Sequence, residues 1–276
     1  MNKKKDIQPI VDFLVVGAQK SGTTTLYTHL CDHPEISMAK NKELHFFDND
    51  KLFEQTEDFP LYQMFFDLEI SSELRENKYQ YYHSFFEDNA IERIRGEVTP
   101  AYMYNKYAPR RIWEYNPKMK LVVILRNPID RAYSHWNMEK NRGRENLPFR
   151  EALEAEAERC REALPSQNYR YSYLDRGYYV TQLREIYRFF KQEQILVLKY
   201  DDLSMNLDVV LNTLFQFLGV KKQPMGLSCC NKIKHKGCYS ALMSAEDRRF
   251  LNTTYECEIA CLEKILEWDC SDWLVY

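Results

Sequence analysis

The stretch FLVVGAQKSGTTTLYTHL, Phe13 to Leu30, decides the fold. Its first four residues form a short apolar, β-branched run of the kind that makes a buried strand. From Ser21 to Leu30 the pattern turns helical. Between strand and helix lies Gly17-Ala18-Gln19-Lys20-Ser21-Gly22-Thr23-Thr24, close to the phosphate-cradling pattern G-x-x-x-x-G-K-[ST]. Both glycines and the last threonine fit. Thr23 stands where the lysine belongs, and a lysine occurs three positions earlier, at Lys20. Glycines there allow tight turns, so that successive N–H groups surround an anion at a helix N-terminus, and Thr23, Thr24 and Thr25 add hydroxyl donors.

Two further strands are expected at Lys120–Leu125 (KLVVIL) and Ile195–Leu198 (ILVL). Helical patterns follow at Gly22–Cys31, Pro128–Lys140, Phe149–Glu162, Tyr178–Phe190, Leu207–Leu218 and Ala245–Glu267. Strands alternating with helices predict an α/β fold, three layers deep, with a mainly parallel central sheet covered on both faces. Ligands of such sheets bind at the carboxyl ends of the strands. The segment from about Lys42 to Met103 differs: HFFD, MFFD, YQYYHSFFED and TPAYMY crowd aromatic rings among acids. It is expected to be an irregular insertion on the acceptor side of one 276-residue domain, with most rings packed as satellite core.

The chain carries a formal net charge of -3, which argues against generic binding to nucleic acid while leaving room for a local basic pocket. No apolar signal segment follows the basic start, and no run approaches a membrane span. A cytoplasmic protein without a membrane partner is expected, and a homodimer is compatible with the composition. Eight cysteines in a reducing compartment are expected to be free thiols, because none shows the paired C-x-x-C spacing of a zinc site.

Enzymes that hydrolyse nucleoside triphosphates also need magnesium, held in part by an aspartate at the end of a second strand. Here KLVVILRNP places Arg126 at that point. A cation there repels a metal and attracts a further anion. Ser134 follows eight residues later, in RNPIDRAYSHW, on a helix that Pro128 opens. An arginine from a strand end and a serine from the next helix can hold one phosphate together. No metal is expected.

GAQKSGTTTL with LRNPIDRAYSHW resembles the nucleotide-binding motifs of sulfotransferases that use 3′-phosphoadenosine 5′-phosphosulfate (PAPS), which share a fold with the P-loop NTPases. KELHFFD (Lys42–Asp48), GEVTPAY (Gly96–Tyr102), RGYYVTQLREIYRFF, ILVLKYDDL and HKGCYSAL resemble, in order, later segments of the heparan-sulfate-type and related bacterial branch. The resemblance implies that Gly17, Gln19, Lys20, Ser21, Gly22, Thr23 and Thr24 hold the 5′-phosphosulfate, and that Arg126 and Ser134 hold the 3′-phosphate. Tyr178 becomes a further donor contact, and Lys236 and Gly237, with Lys234 nearby, a loop over the 3′-phosphate.

The resemblance also assigns the chemistry. Lys20 stabilises charge on the leaving oxygen. Glu43 is the general base, with His45 as the alternative base or an orienting partner, and Asp48 fixes His45. Thr99 and Tyr102 support the acceptor side or the loop. Two positions depart from the branch. Val98 replaces the lysine that glycosaminoglycan 3-O-sulfotransferases carry before T-P-A-Y, and Cys238 replaces an arginine in the late loop. The expected reaction moves the sulfuryl group of PAPS to a hydroxyl or amine of a small secondary metabolite, such as an alkaloid, or of a soluble carbohydrate, releasing 3′,5′-ADP. A variant nucleotide-binding protein or kinase, or a non-catalytic scaffold, is the competing reading.

Overall fold

The computed structural model describes residues 8–53, 71–87, 93–222 and 242–274. In chain order the elements are β1 (Phe13–Gly17), α1 (Thr23–Cys31), β2 (Ile36–Met38), α2 (Asp50–Phe53), α3 (Ser72–Glu76) and α4 (Lys78–His83). There follow β3 (Ile94–Val98), α5 (Ala108–Tyr115), β4 (Lys120–Leu125), α6 (Pro128–Asn141), α7 (Phe149–Glu154) and α8 (Glu156–Glu162). The last are α9 (Tyr179–Tyr187), β5 (Ile195–Lys199), α10 (Tyr200–Met205), α11 (Leu207–Leu218) and α12 (Ala245–Leu266).

The strands form one five-stranded sheet in the order β2-β3-β1-β4-β5, parallel at every pairing. Alternation along each strand sends side chains to opposite layers. Leu14 and Val16 of β1 and Leu121, Val123 and Leu125 of β4 face α5, α6, α9 and α12, through Ile112, Ile129, Leu183, Tyr255 and Ile259. Phe13, Val15, Val122 and Ile124 face α1, α10 and α11, through Leu26, Leu30, Leu203, Leu214 and Phe215. Each such side chain taken from water contributes about 1.5–3 kcal/mol, so both layers are held to the sheet. This is the three-layer α/β architecture expected.

Two strands lie where none was expected. β2 has only three residues, too few to show alternation. β3 reads Ile-Arg-Gly-Glu-Val and hides its place between β1 and β2 behind polar residues. Its glycine is a packing requirement, since a Cβ at Gly96 would overlap the Phe13 ring. β3 and the turn after it therefore belong to the central sheet, although they fall within the segment read as an insertion. The expected helix over 149–162 is two helices, parted at Ala155. The aromatic rings around α4 join the main core: Phe46 stacks on Tyr82 with centroids 4.4 Å apart, and both are buried.

The order of the strands places the site. β1 is central, flanked by β3 on one side and β4 on the other, so the chain reverses its direction of winding at the carboxyl end of β1. Open α/β sheets take their ligands at that crevice. The loop after β1, the turn after β3 and Arg126 after β4 meet there. Among the described residues no helix is long and apolar enough to cross a membrane. Cys31, Cys160, Cys257, Cys261 and Cys270 are free thiols.

Candidate active site

The β1–α1 loop is shaped for an anion. Gly22 takes φ +90, a left-handed conformation that glycine adopts without strain. It precedes α1 as an N-cap that offers no side-chain bond, and the first turn of α1 holds no acid. The first N–H groups of a helix lack partners within it, so an uncapped N-terminus free of acids fits a phosphate or sulfate. Gln19 adds a buried side-chain oxygen, Oε1, without a hydrogen-bond partner. Ser21 and Thr23 are buried in the loop, while Thr24 faces solvent.

Arg126 follows the end of β4 and reaches across to β1. Its Nη1 donates to the Lys20 carbonyl at 3.3 Å, and its guanidinium lies over the Tyr200 ring, 4.9 Å from the centroid. Asn127 then caps α6 by accepting from the Ile129 N–H at 2.9 Å, with Pro128 in the first turn. Ser134 lies two turns on in the same helix and is buried. Lys20 itself takes φ 70. Burial lowers its pKa first, and the guanidinium groups of Arg142 and Arg126 lower it further against the pull of Glu139 and Glu43. The ammonium is therefore within electrostatic reach of both Arg126 and Glu43.

That loop leaves β2 and crosses the carboxyl end of β3. Glu43 and His45 both have left-handed backbones, φ 63 and φ 51. His45 Nδ1 lies 2.8 Å from Asp48 Oδ2, and His45 Nε2 lies 3.8 Å from Glu43 Oε2. Lys42 Nζ pairs with Glu43 Oε1. Burial alone would lower the imidazole, but Asp48 and then Glu43 carry its pKa up to about 10. Burial alone would raise Glu43, but His45 and Lys42 take it down to about 2. At neutral pH the pair is therefore an imidazolium beside a carboxylate. A protonated imidazole orients and balances charge; it has no lone pair with which to take a proton.

Other expected residues fall elsewhere. Thr99 and Tyr102 are fully buried and turn inward to Glu97, while their oxygens accept the His45 and Phe46 N–H groups of the loop. Tyr178 packs on Tyr255, with ring centroids 5.5 Å apart. Its neighbour Tyr179 gives its hydroxyl hydrogen to the Arg126 carbonyl at 2.9 Å. Lys236, Gly237 and Lys234 lie outside the described residues.

Several residues escaped the sequence reading. Glu139, buried one helical turn after His135, pairs with Arg142 at 3.2 Å and lies 3.8 Å from Arg144 and 4.0 Å from Arg170. Of this cluster, Arg142 and Glu139 act on Lys20, the first lowering and the second raising its pKa. The i, i+4 spacing of His135 and Glu139 was visible, but nothing in it indicated which face of α6 points at Lys20. Among the described residues no group of histidine, cysteine and acidic side chains could hold a metal ion.

A parallel sheet with a phosphate-shaped loop at its switch point and an arginine just after the next strand has the form of a nucleotide-binding α/β protein. The sulfotransferase domain model matches residues 11–250, and the chain belongs to that family. It is 26% identical over 226 residues to human bifunctional heparan sulfate N-deacetylase/N-sulfotransferase 2, an alignment that covers 79% of this chain and 23% of that protein. The chain thus spans about a quarter of that relative's length. A sulfotransferase from Alicyclobacillus acidocaldarius superposes with a TM-score of 0.76 at 27% identity, covering 95% of this chain and 98% of that one. Mouse sulfotransferase SULT7A1, solved with PAP, shares the fold at a TM-score of 0.54 and 13% identity, over 91% of this chain and 85% of its own.

Proposed function

We propose that this enzyme transfers the sulfuryl group of PAPS to an amine or hydroxyl of a soluble carbohydrate or small molecule, releasing 3′,5′-ADP, with Glu43 as the base. The observation that carries the reading is that Lys20, in the phosphate-shaped loop, is within electrostatic reach of Glu43 and has its carbonyl hydrogen-bonded to Arg126. The relative named for heparan sulfate N-sulfotransfer makes a sugar amine the first acceptor to test.

The roles follow from the residues. The Gly17–Thr24 loop and the start of α1 would bind the 5′-phosphosulfate, and Arg126 and Ser134 the 3′-phosphate. The donor supplies an activated sulfuryl group and a phosphate leaving group. Lys20 stabilises the negative charge that grows on the leaving oxygen; burial and its neighbouring arginines loosen its own proton. His45, protonated and anchored by Asp48, holds the Glu43 carboxylate toward the acceptor. With a pKa of about 2, Glu43 is a feeble base until an acceptor displaces Lys42 and shields it from water, both of which raise its pKa. The acceptor's proton becomes far more acidic once its oxygen or nitrogen bonds to sulfur, so a weak base serves.

Calorimetric titration should give tight binding of 3′,5′-ADP without magnesium. Incubation with PAPS and a glucosamine oligosaccharide should form a sulfated product. Lys20→Ala should lower that turnover by about 10²–10³-fold, and Glu43→Gln by about 10²–10⁴-fold. Magnesium-dependent ATP binding without affinity for 3′,5′-ADP, or unchanged turnover in both variants, would overturn the reading.

A further inference from the structure

Glu97 sits in the middle of the sheet, on β3 opposite Leu14 of β1, and is completely buried. Burying a carboxylate is costly unless it is well bonded. The usual compensation is a cation, yet among the described residues every side chain hydrogen-bonded to Glu97 is a hydroxyl. Tyr82 Oη donates to Oε2 at 2.5 Å, and Thr99 Oγ1 and Tyr102 Oη donate to Oε1 at 2.6 and 2.5 Å. Burial pushes its pKa up against these three donors. A leucine at this place in the sheet would serve stability better, so the carboxylate needs another explanation.

The explanation lies one bond further out. A hydroxyl has a single proton to give. Thr99 and Tyr102 commit theirs to Glu97, which leaves their lone pairs facing the Lys42–Asp48 loop. Those lone pairs accept the N–H of His45 at 3.5 Å and the N–H of Phe46 at 2.9 Å. A third bond, from the Glu43 N–H to the Val98 carbonyl at 2.9 Å, ties the loop to the same strand end. Left-handed conformations at non-glycine residues persist only where their surroundings dictate them. Here the backbone at Glu43 and His45 is dictated from β3.

We propose that Glu97 is a positioning residue: by claiming the protons of Thr99 and Tyr102, it turns both hydroxyls into acceptors that fix the direction of Glu43 and His45. The inference rests on Glu43 and His45 being the working groups of the site. It explains a buried acid in a central strand and places the whole relay in the stretch Gly96–Tyr102. Glutamine at position 97 could spare both relay bonds by turning its N–H₂ toward Tyr82, whereas leucine offers neither relay hydroxyl an acceptor for its proton.

The test uses Glu97→Leu and, in case that variant folds poorly, Tyr102→Phe, which removes one relay hydroxyl and keeps the ring. Nuclear magnetic resonance reads the His45 titration directly, calorimetry reads 3′,5′-ADP affinity, and turnover is followed with PAPS and the glucosamine oligosaccharide. In both variants the His45 pKa should fall by at least about one unit as its alignment with Asp48 and Glu43 is lost. Nucleotide affinity should stay within about threefold, and turnover should drop about tenfold or more at unchanged KM for PAPS. A His45 titration identical to wild type, or a loss of nucleotide affinity parallel to that of turnover, overturns the positioning role. Should Glu43→Gln alone leave turnover unchanged, the base assignment fails, while the His45 titration still decides the role of Glu97.

Discussion

Replacing His45 by glutamine should remove a pH dependence from the protein's stability. In the folded chain the imidazole pKa is carried up to about 10, chiefly by Asp48 at 2.8 Å; in the unfolded chain it returns to about 6.5. Because the folded value is the higher, the folded state binds the proton more tightly, and the stabilisation is complete below pH 6.5 and lost as pH rises through 10. With about 1.4 kcal/mol per unit, the interaction contributes on the order of 5 kcal/mol at pH 6, about 3 at pH 8 and under 1 at pH 10. The imidazole is 21% exposed and its Asp48 partner 5%, so solvent screening takes only a modest share. Glutamine can still donate to Asp48 but carries no titrating proton. Urea unfolding of both proteins at pH 6, 8 and 9.5, followed by tryptophan fluorescence, gives the difference curve. Titrations common to both chains cancel in it. Wild type should lose several kcal/mol relative to His45→Gln across this range. Parallel curves would refute the raised imidazole pKa, and with it the charged His45–Glu43 pair.

Arg126→Ala should weaken 3′,5′-ADP binding by about 10–100-fold, the loss expected for a charge-assisted pair of hydrogen bonds; calorimetry checks this, and full affinity would remove Arg126 from the 3′-phosphate site. Gly96→Ala should destabilise the fold by about 1–3 kcal/mol, because its Cβ meets the Phe13 ring between adjacent strands. Phe13→Leu in the same chain should recover part of that loss in a urea melt.

What could be read in the sequence depended on whether a residue's surroundings are local. β1, β4 and β5 announce themselves because a strand buried on both faces is apolar throughout. β3 does not: Gly96 answers to Phe13 and Glu97 to three distant hydroxyls, so its composition reflects partners that a linear reading does not place. The break at Ala155 carries neither glycine nor proline and leaves no trace. Lys20 and Arg126 stand out because loop and strand-end motifs fix which type of side chain stands where, whereas Glu43, His45 and Asp48 are singled out only by resemblance to a family segment. Thr99 and Tyr102 were recognised as hydroxyl residues near the loop, but residue type says nothing of direction, and theirs is inward. Tyr178 and Tyr179 differ by one step of helix phase, which decides which ring reaches Arg126.

Backbone strain identifies the same residues without reference to any motif. Among the described residues, the non-glycine positions with left-handed φ are Lys20, Glu43, His45 and Glu267. Glu267 closes α12 as its C-cap, where a left-handed residue satisfies the last carbonyls of the helix. The other three end no helix. Each costs roughly 1–3 kcal/mol relative to a relaxed backbone, and glycine at any of them would relieve the strain. Glycine would also delete an ammonium, a carboxylate and an imidazolium from the place where the carboxyl ends of β1, β3 and β4 converge. A loop selected for stability alone would have no reason to keep charged side chains at three strained positions facing one another. Their retention fits an enzyme that needs the charges more than it needs the stability, and Glu97 is what lets two of the three strained residues hold still.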